Sequence, residues 1–186
     1  IIFGAGARRE VKQEVETLKW SRVMVISTPE LQSQSEQVAS DLGEFCAGLY
    51  TDAVQHVPVE TAERALKKAK ELNVDGLIAV GGGSAIGLAK ALALKASLPI
   101  MALPTTYAGS EMTPVWGMTE SGVKTTGRNP VVKPKVVIYD PELTLSLPVP
   151  LSMTSGINAM AHCVEGLYTK DANPIISLIA EEGIRA

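Results

Sequence analysis

Three consecutive glycines, Gly81 to Gly83, and then Ser84 stand where an apolar run, Gly76 to Val80, gives way to an Ala-, Leu- and Lys-rich segment reaching Ala96. The order reads as buried strand, tight glycine turn and helix N-terminus. Glycine lets the backbone approach a ligand with no Cβ in the way, and the first N–H groups of a helix carry a partial positive charge. That chemistry suits a phosphate or pyrophosphate. An ordinary strand-to-helix connection needs fewer glycines, and Ser84 offers a hydroxyl at the expected cap. The spacing matches neither GxGxxG nor GxxxxGK(S/T), so neither fingerprint applies. A second cluster follows one strand later, where Pro104 to Glu111 reads PTTYAGSE. Thr105, Thr106, Tyr107 and Ser110 place hydroxyls where the ribose or nicotinamide of a dinucleotide would lie. Alone, this loop reads as a polar turn; two elements after the glycine turn, it becomes a candidate for the same ligand. Asn158 and His162 lie four residues apart in a helical pattern and so share one face. Alone, His162 reads as a helix histidine satisfied by a neighbour, and His56 as a solvated loop histidine.

These groups need a framework, and the alternation of apolar runs with helical spacing supplies one. Residues 22–27 (RVMVIS), 45–50, 76–80, 99–103 and 135–139 read as strands. Residues 8–19, 30–42, 59–72 and 84–96 have the 3.6-residue period of helices between them. Strands and helices alternating in this way form βαβ units and a doubly wound, mostly parallel α/β sheet. Ligands bind such sheets beyond the carboxyl ends of the strands. Three of those ends carry polar groups: Ser27 and Thr28, Gly81 to Ser84, and Thr105 to Ser110. Residues 112–127 break the rhythm as strand, turn and strand, a hairpin ending near Lys124 and Arg128. Asp140 and Pro141 suit a helix start. Pro148 to Pro150 reads as a stiff linker, followed by helical patterns over 151–169 and 174–185. The expected division is therefore a dinucleotide-binding α/β domain over 1–149 and the first helices of an incomplete all-helical domain over 150–186.

Composition narrows the classes further. The 186 residues are 46% hydrophobic with a formal net charge of -3, enough for one sizeable core. The 17 basic residues are scattered and aromatics are few, so nothing suggests a nucleic-acid surface. No apolar run reaches membrane-spanning length, and no signal-peptide pattern is present. Cys46 and Cys163 sit far apart in apolar contexts, which predicts two buried free thiols in a reducing cytoplasm. The start without Met and the helical pattern running to Ala186 without a C-cap predict a piece of a longer protein.

GGGS at Gly81 to Ser84, PTT at Pro104 to Thr106 with GSE at Gly109 to Glu111, DPELT at Asp140 to Thr144 and GINAMAHCVEG at Gly156 to Gly166 occur together in this order. In that combination the chain resembles the iron-containing (group III) alcohol dehydrogenase and dehydroquinate synthase-like superfamily, over nearly its whole length. PTTYAGSEMTPVWG followed by KTTGRNP resembles the maleylacetate reductase branch, because the alcohol dehydrogenase loop usually reads PTTAGTGSE. The resemblance implies a dehydrogenase of two domains, the second all-helical, with the site in the cleft between them and roughly half of a full-length member absent here.

The resemblance further implies that Gly81, Gly82, Gly83 and Ser84 hold the pyrophosphate of NADH or NADPH. Thr105, Thr106 and Tyr107, with Ser110, would line the ribose and nicotinamide region. Near Thr28 the alcohol dehydrogenases often carry an Asp that repels a 2′-phosphate. Ser27 and Thr28 carry no such charge, so tolerance of both cofactors is expected. In the metal-dependent members the helix pair at Asn158 and His162 is Asp and His. A neutral amide removes the anionic ligand a divalent ion favours, so no metal is expected, as in the maleylacetate reductase branch. Asn158 and His162 then become candidate catalytic residues, His162 as a hydrogen-bond or proton donor to the substrate or as a helix histidine held by a neighbour.

The reaction implied is reduction of the carbon–carbon double bond of maleylacetate to 3-oxoadipate, in the breakdown of aromatic and chloroaromatic compounds. A dicarboxylate substrate calls for cations; Lys124 and Arg128 are candidates, with a solvated charged turn as their ordinary reading. Glu111 and Glu165 read as structural or capping. The resemblance and the apolar N-terminal stretch imply a homodimer. The alternatives are a metal-dependent alcohol or polyol dehydrogenase in which Asn158 ligates weakly, and a nucleotide-binding fragment inactive on its own.

Overall fold

Apolar runs without alternation mark strands that are covered on both faces, and this chain has several. A computed structural model describes residues 1–170 and 172–186. In it β1 (Ile2–Phe3), α1 (Val11–Thr17), β2 (Val23–Ile26), α2 (Gln32–Leu42), β3 (Cys46–Tyr50) and α3 (Val59–Glu71) follow one another. After them come β4 (Gly76–Gly81), α4 (Gly83–Ala96) and β5 (Ile100–Pro104). The hairpin β6 (Val115–Glu120) and β7 (Val123–Arg128), then β8 (Val136–Tyr139), α5 (Val149–Tyr168) and α6 (Pro174–Arg185) complete the order. Six strands form one parallel sheet in the order β1-β8-β5-β4-β2-β3, as the βαβ rhythm predicts.

Along β2 and β4 every residue is buried, and the two-residue period of a strand divides the core in two. Met24, Ile26, Leu77 and Ala79 face one cluster, which includes Ala62, Ala65 and Ala69 of α3 and Ile86, Ala89 and Ala93 of α4. Val23, Val25, Ile78 and Val80 face the other, with Val11 and Val15 of α1 and Val38 and Leu42 of α2. The sheet is thus doubly wound. β3 lies on one side of β2 and β4 on the other, so the chain reverses direction across the sheet between β2 and β4. The crevice beyond their carboxyl ends is where such sheets take a ligand.

The hairpin forms where expected. Its turn residues, Ser121 (φ 49°) and Gly122 (φ 79°), both take the left-handed backbone of a tight hairpin turn. Two expectations are corrected. Pro148 to Pro150 is no linker: Pro148 caps α5 and Pro150 sits in its first turn, where a missing N–H costs nothing. Cys46 and Cys163 are free but only half-buried. Cys46 lies on β3, which is half-buried along most of its length, and Cys163 on α5, which has no buried residue among those described. α5 and α6 pack on each other, with Gly166 against Ile176 and Ala180, and expose Leu151, Met153, Ile157, Leu178 and Ile179.

One buried carboxylate ties the sheet edge down. Asp140, which follows β8, accepts N–H bonds from Gly6 (3.0 Å), Arg8 (3.2 Å) and Glu142 (3.0 Å), and the Arg8 guanidinium at 2.6 Å. Burial alone would raise its pKa. The Arg8 side chain and the three backbone donors outweigh burial and hold it below the usual carboxylate value. A carboxylate depressed in the folded state stabilises above the unfolded pKa of about 3.9 and loses that contribution as pH falls through the folded value. Asp140→Asn should therefore cost about 3 kcal/mol in urea unfolding at pH 7. The gap to wild type should shrink progressively below about pH 4, and a gap independent of pH would contradict this role.

Candidate active site

β4 delivers the chain into the crevice through its glycines. Gly81 has φ 147°, and a Cβ there would lie 2.9 Å from the Ala85 Cβ, so both backbone and space exclude larger residues. A Cβ on Gly82 would fall 2.6 Å from Thr106 Oγ1, whereas one on Gly83 would meet nothing within 4 Å. Gly82 therefore lets the β5 loop close against the turn, and Gly83 opens on the cleft. No side chain caps α4; its N-cap is Gly82, and Ser84, expected at the cap, stands in the first helical turn. The first-turn N–H groups are thus left without a side-chain acceptor, the condition for anion binding.

A cleft of about 1710 Å³ opens over this turn. Its walls bring together Thr28, Gly82, Gly83, Ser84, Thr105, Thr106, Ser110, Lys124, Asn158 and His162. The residues span the end of β2, the β4–α4 turn, the loop after β5, strand β7 and helix α5. Gly81, Tyr107 and Arg128 are outside this wall. Gly81 is buried at the end of β4. Tyr107 donates its N–H to Ser155 Oγ at 2.9 Å while its side chain is exposed, and Arg128 is exposed at the end of β7. His162 Nδ1 lies 2.9 Å from Glu165 Oε2 one turn further along α5, so Glu165 is the neighbour that holds the imidazole.

Sequence reasoning missed the group that fixes the β5–β6 loop. Lys90, on α4, is 1% exposed. Its ammonium donates to the carbonyls of Ser110 (2.6 Å), Thr113 (2.8 Å) and Val115 (2.8 Å) and contacts Thr113 Oγ1 at 3.1 Å. Burial pulls its pKa down to about 8, against the opposing pull of the Glu111 charge. The signal was present: in GLAKALALKA a lysine sits midway along a helix that is apolar on every side. Glu111 is also buried and accepts the Tyr139 hydroxyl at 2.8 Å, while its second oxygen has no partner. Burial, together with that hydrogen bond and charge, pushes the Tyr139 phenol above its usual pKa.

Residues 1–141 match the family described as iron-containing alcohol dehydrogenase. The chain belongs to that family. Within the iron-containing alcohol dehydrogenases it is 55% identical, over all 186 residues, to the maleylacetate reductase of Sphingobium indicum, of which it covers 53%. It superposes with a TM-score of 0.95 on the crystal structure of maleylacetate reductase from Agrobacterium tumefaciens, at 49% identity over 99% of this chain and 53% of that one. The same score holds for the maleylacetate reductase of Rhizobium sp. strain MTP-10005, at 50% identity over 99% of this chain and 53% of that one. The chain spans about half the length of the relatives it matches.

The family description names iron, and the resemblance of the 156–166 motif to the metal-dependent members makes the α5 pair the place to look for ligands. In this chain the pair supplies one imidazole and one neutral amide. Among the described residues no three His, Cys, Asp or Glu side chains converge. The amide at Asn158 gives this pair no anionic oxygen of the kind a divalent ion favours.

The glycine turn is testable without knowing the reaction. Gly83→Ala should leave unfolding free energy within about 1 kcal/mol of wild type, because its methyl meets only open space. It should nevertheless weaken ADP-ribose binding about tenfold or more in calorimetry, or about 1.4 kcal/mol. Unchanged binding would mean that the turn does not hold the pyrophosphate.

Proposed function

We propose that the complete protein reduces the carbon–carbon double bond of maleylacetate to 3-oxoadipate with NADH or NADPH, in the catabolism of aromatic and chloroaromatic compounds. The carrying observation is 55% identity over the whole chain to a maleylacetate reductase. The cleft is consistent with it: an uncapped helix N-terminus stands at one end and a hydroxyl-bearing loop beside it.

NAD(P)H supplies the hydride when bound. The first-turn N–H groups at Gly83 and Ser84 hold its pyrophosphate, and Thr105, Thr106 and Ser110 line the ribose and nicotinamide region. Thr28 at the adenosine end is neutral, which supports use of either cofactor, and the Glu30 carboxylate in the same wall favours NADH of the two. Hydride adds to the β-carbon of the conjugated acceptor, and the resulting enolate takes a proton at the α-carbon. A conjugated acceptor can be stabilised by hydrogen-bond donors alone, so no step here needs a metal. His162, steadied by Glu165, is assigned as the donor that stabilises the enolate, with Asn158 one turn earlier on the same face. Lys124 rather than Arg128 is assigned to a substrate carboxylate, because Lys124 lines the cleft. Two units, 1–149 for the nucleotide and 150–186 as the start of a helical part, fit this division of labour. Exposed Ile1 and Phe3, before and within the edge strand β1, support a homodimer, and the two free thiols support a cytoplasmic setting.

Side-by-side kinetics test the reading. Maleylacetate should be turned over with both NADH and NADPH, with 3-oxoadipate as product. Lys124→Ala should raise KM for maleylacetate about tenfold, as expected for a lost charge-assisted hydrogen bond, while kcat changes little. Turnover of simple aldehydes or alcohols with none of maleylacetate would favour an alcohol or polyol dehydrogenase instead.

A further inference from the structure

The loop between β5 and β6 has no regular structure long enough to hold itself in place; a 3₁₀ turn at Ser110–Met112 is its one ordered piece. Yet this loop forms one wall of the cleft beside the glycine turn. Its most heavily bonded anchor is a single cation. Lys90 sends its side chain from the buried face of α4 into the loop, where the oxygens of Ser110, Thr113 and Val115 converge on one nitrogen at 2.6 to 3.1 Å. Carbonyl oxygens gathered around one positive centre repel one another in its absence, so the ammonium acts as the loop's internal counter-charge. A second anchor, Tyr139 on β8 to Glu111, holds the same loop from the neighbouring strand.

We propose that Lys90, which lines the cleft wall but is 1% exposed with its ammonium committed to loop oxygens, is a positioning residue that sets the nicotinamide end of the cofactor site through the 110–115 loop. The geometry gives it this leverage, because α4 starts at the pyrophosphate turn and carries Lys90 about two turns further on. One rigid helix therefore fixes the spacing between the phosphate end and the loop. The proposal rests on the reading of the cleft as an NAD(P)H site.

The test uses two nucleotides that share the pyrophosphate end and differ at the nicotinamide end. In the complete protein, Lys90→Ala should bind ADP-ribose within about twofold of wild type while NADH binding weakens about tenfold and kcat falls. n-Propylammonium, which replaces the atoms removed, should restore NADH binding; n-butane, of similar bulk and uncharged, should not. Lys90→Arg keeps the charge on a planar group that cannot aim donors at oxygens converging on one point. It should show the same selective loss, and serves if the alanine variant does not fold. Equal weakening of both nucleotides in a folded variant, or no weakening of either, would overturn the proposal. Wild-type protein that binds neither nucleotide would overturn the reading of the cleft itself and this proposal with it.

Discussion

Everything at the cleft depends on one junction, where a fully buried strand ends in glycine and a helix begins with no side chain to cap it. Uncapped N–H groups at a helix start are a cost in an isolated protein and an asset when an anion arrives. The junction works only because Gly81 can adopt φ 147° and Gly82 has no Cβ to strike Thr106. Those two absences let the β5 loop lie directly against the turn, so the hydroxyl-bearing wall and the proposed anion site share one edge. The parallel sheet supplies the rest: β2, β4 and β5 are neighbours, so their carboxyl ends deliver Thr28, the glycines and Thr105 to one crevice.

At the other end of the cleft the proposed chemistry turns on charge. Asn158 and His162 occupy one face of α5, and the neutral amide leaves that face without the carboxylate that would anchor a divalent ion. A carbonyl standing alone needs strong polarisation, whereas an acceptor conjugated to a carbonyl already spreads its developing charge. Hydrogen-bond donors preorganised in a cleft can meet that smaller demand. The amide at Asn158 thus fits the proposed reduction of a conjugated acceptor on chemical grounds.

The sequence made much of this legible, for identifiable reasons. Continuous apolar runs such as VMVI and GLIAVG announced covered parallel strands, and the one break in the α/β rhythm announced the β6–β7 hairpin. The order of strand ends was enough to gather Thr28, Gly83 and Thr106 at one place. What escaped was set by three-dimensional company rather than local pattern. The Pro148–Pro150 stretch looked stiff, yet proline in a first helical turn is well tolerated. Ser84 looked like a cap because the hydroxyl follows the glycines, but the helix begins one residue earlier, at Gly83. Lysine ordinarily marks a solvated face; the apolar surroundings of Lys90 in GLAKALALKA hint at burial, and the loop folding back over α4 accounts for the enclosed ammonium. Arg128 and Lys124 read alike in sequence and share one face of β7; position along the strand puts only Lys124 in the cleft wall.

The most direct test is single-turnover oxidation of NADH by the complete protein with maleylacetate, after exhaustive chelation and with bound metal measured in parallel. The account predicts the same rate of NADH consumption with no metal bound. Loss of activity on chelation, with recovery on adding iron or zinc, would contradict it and make Asn158 a working ligand.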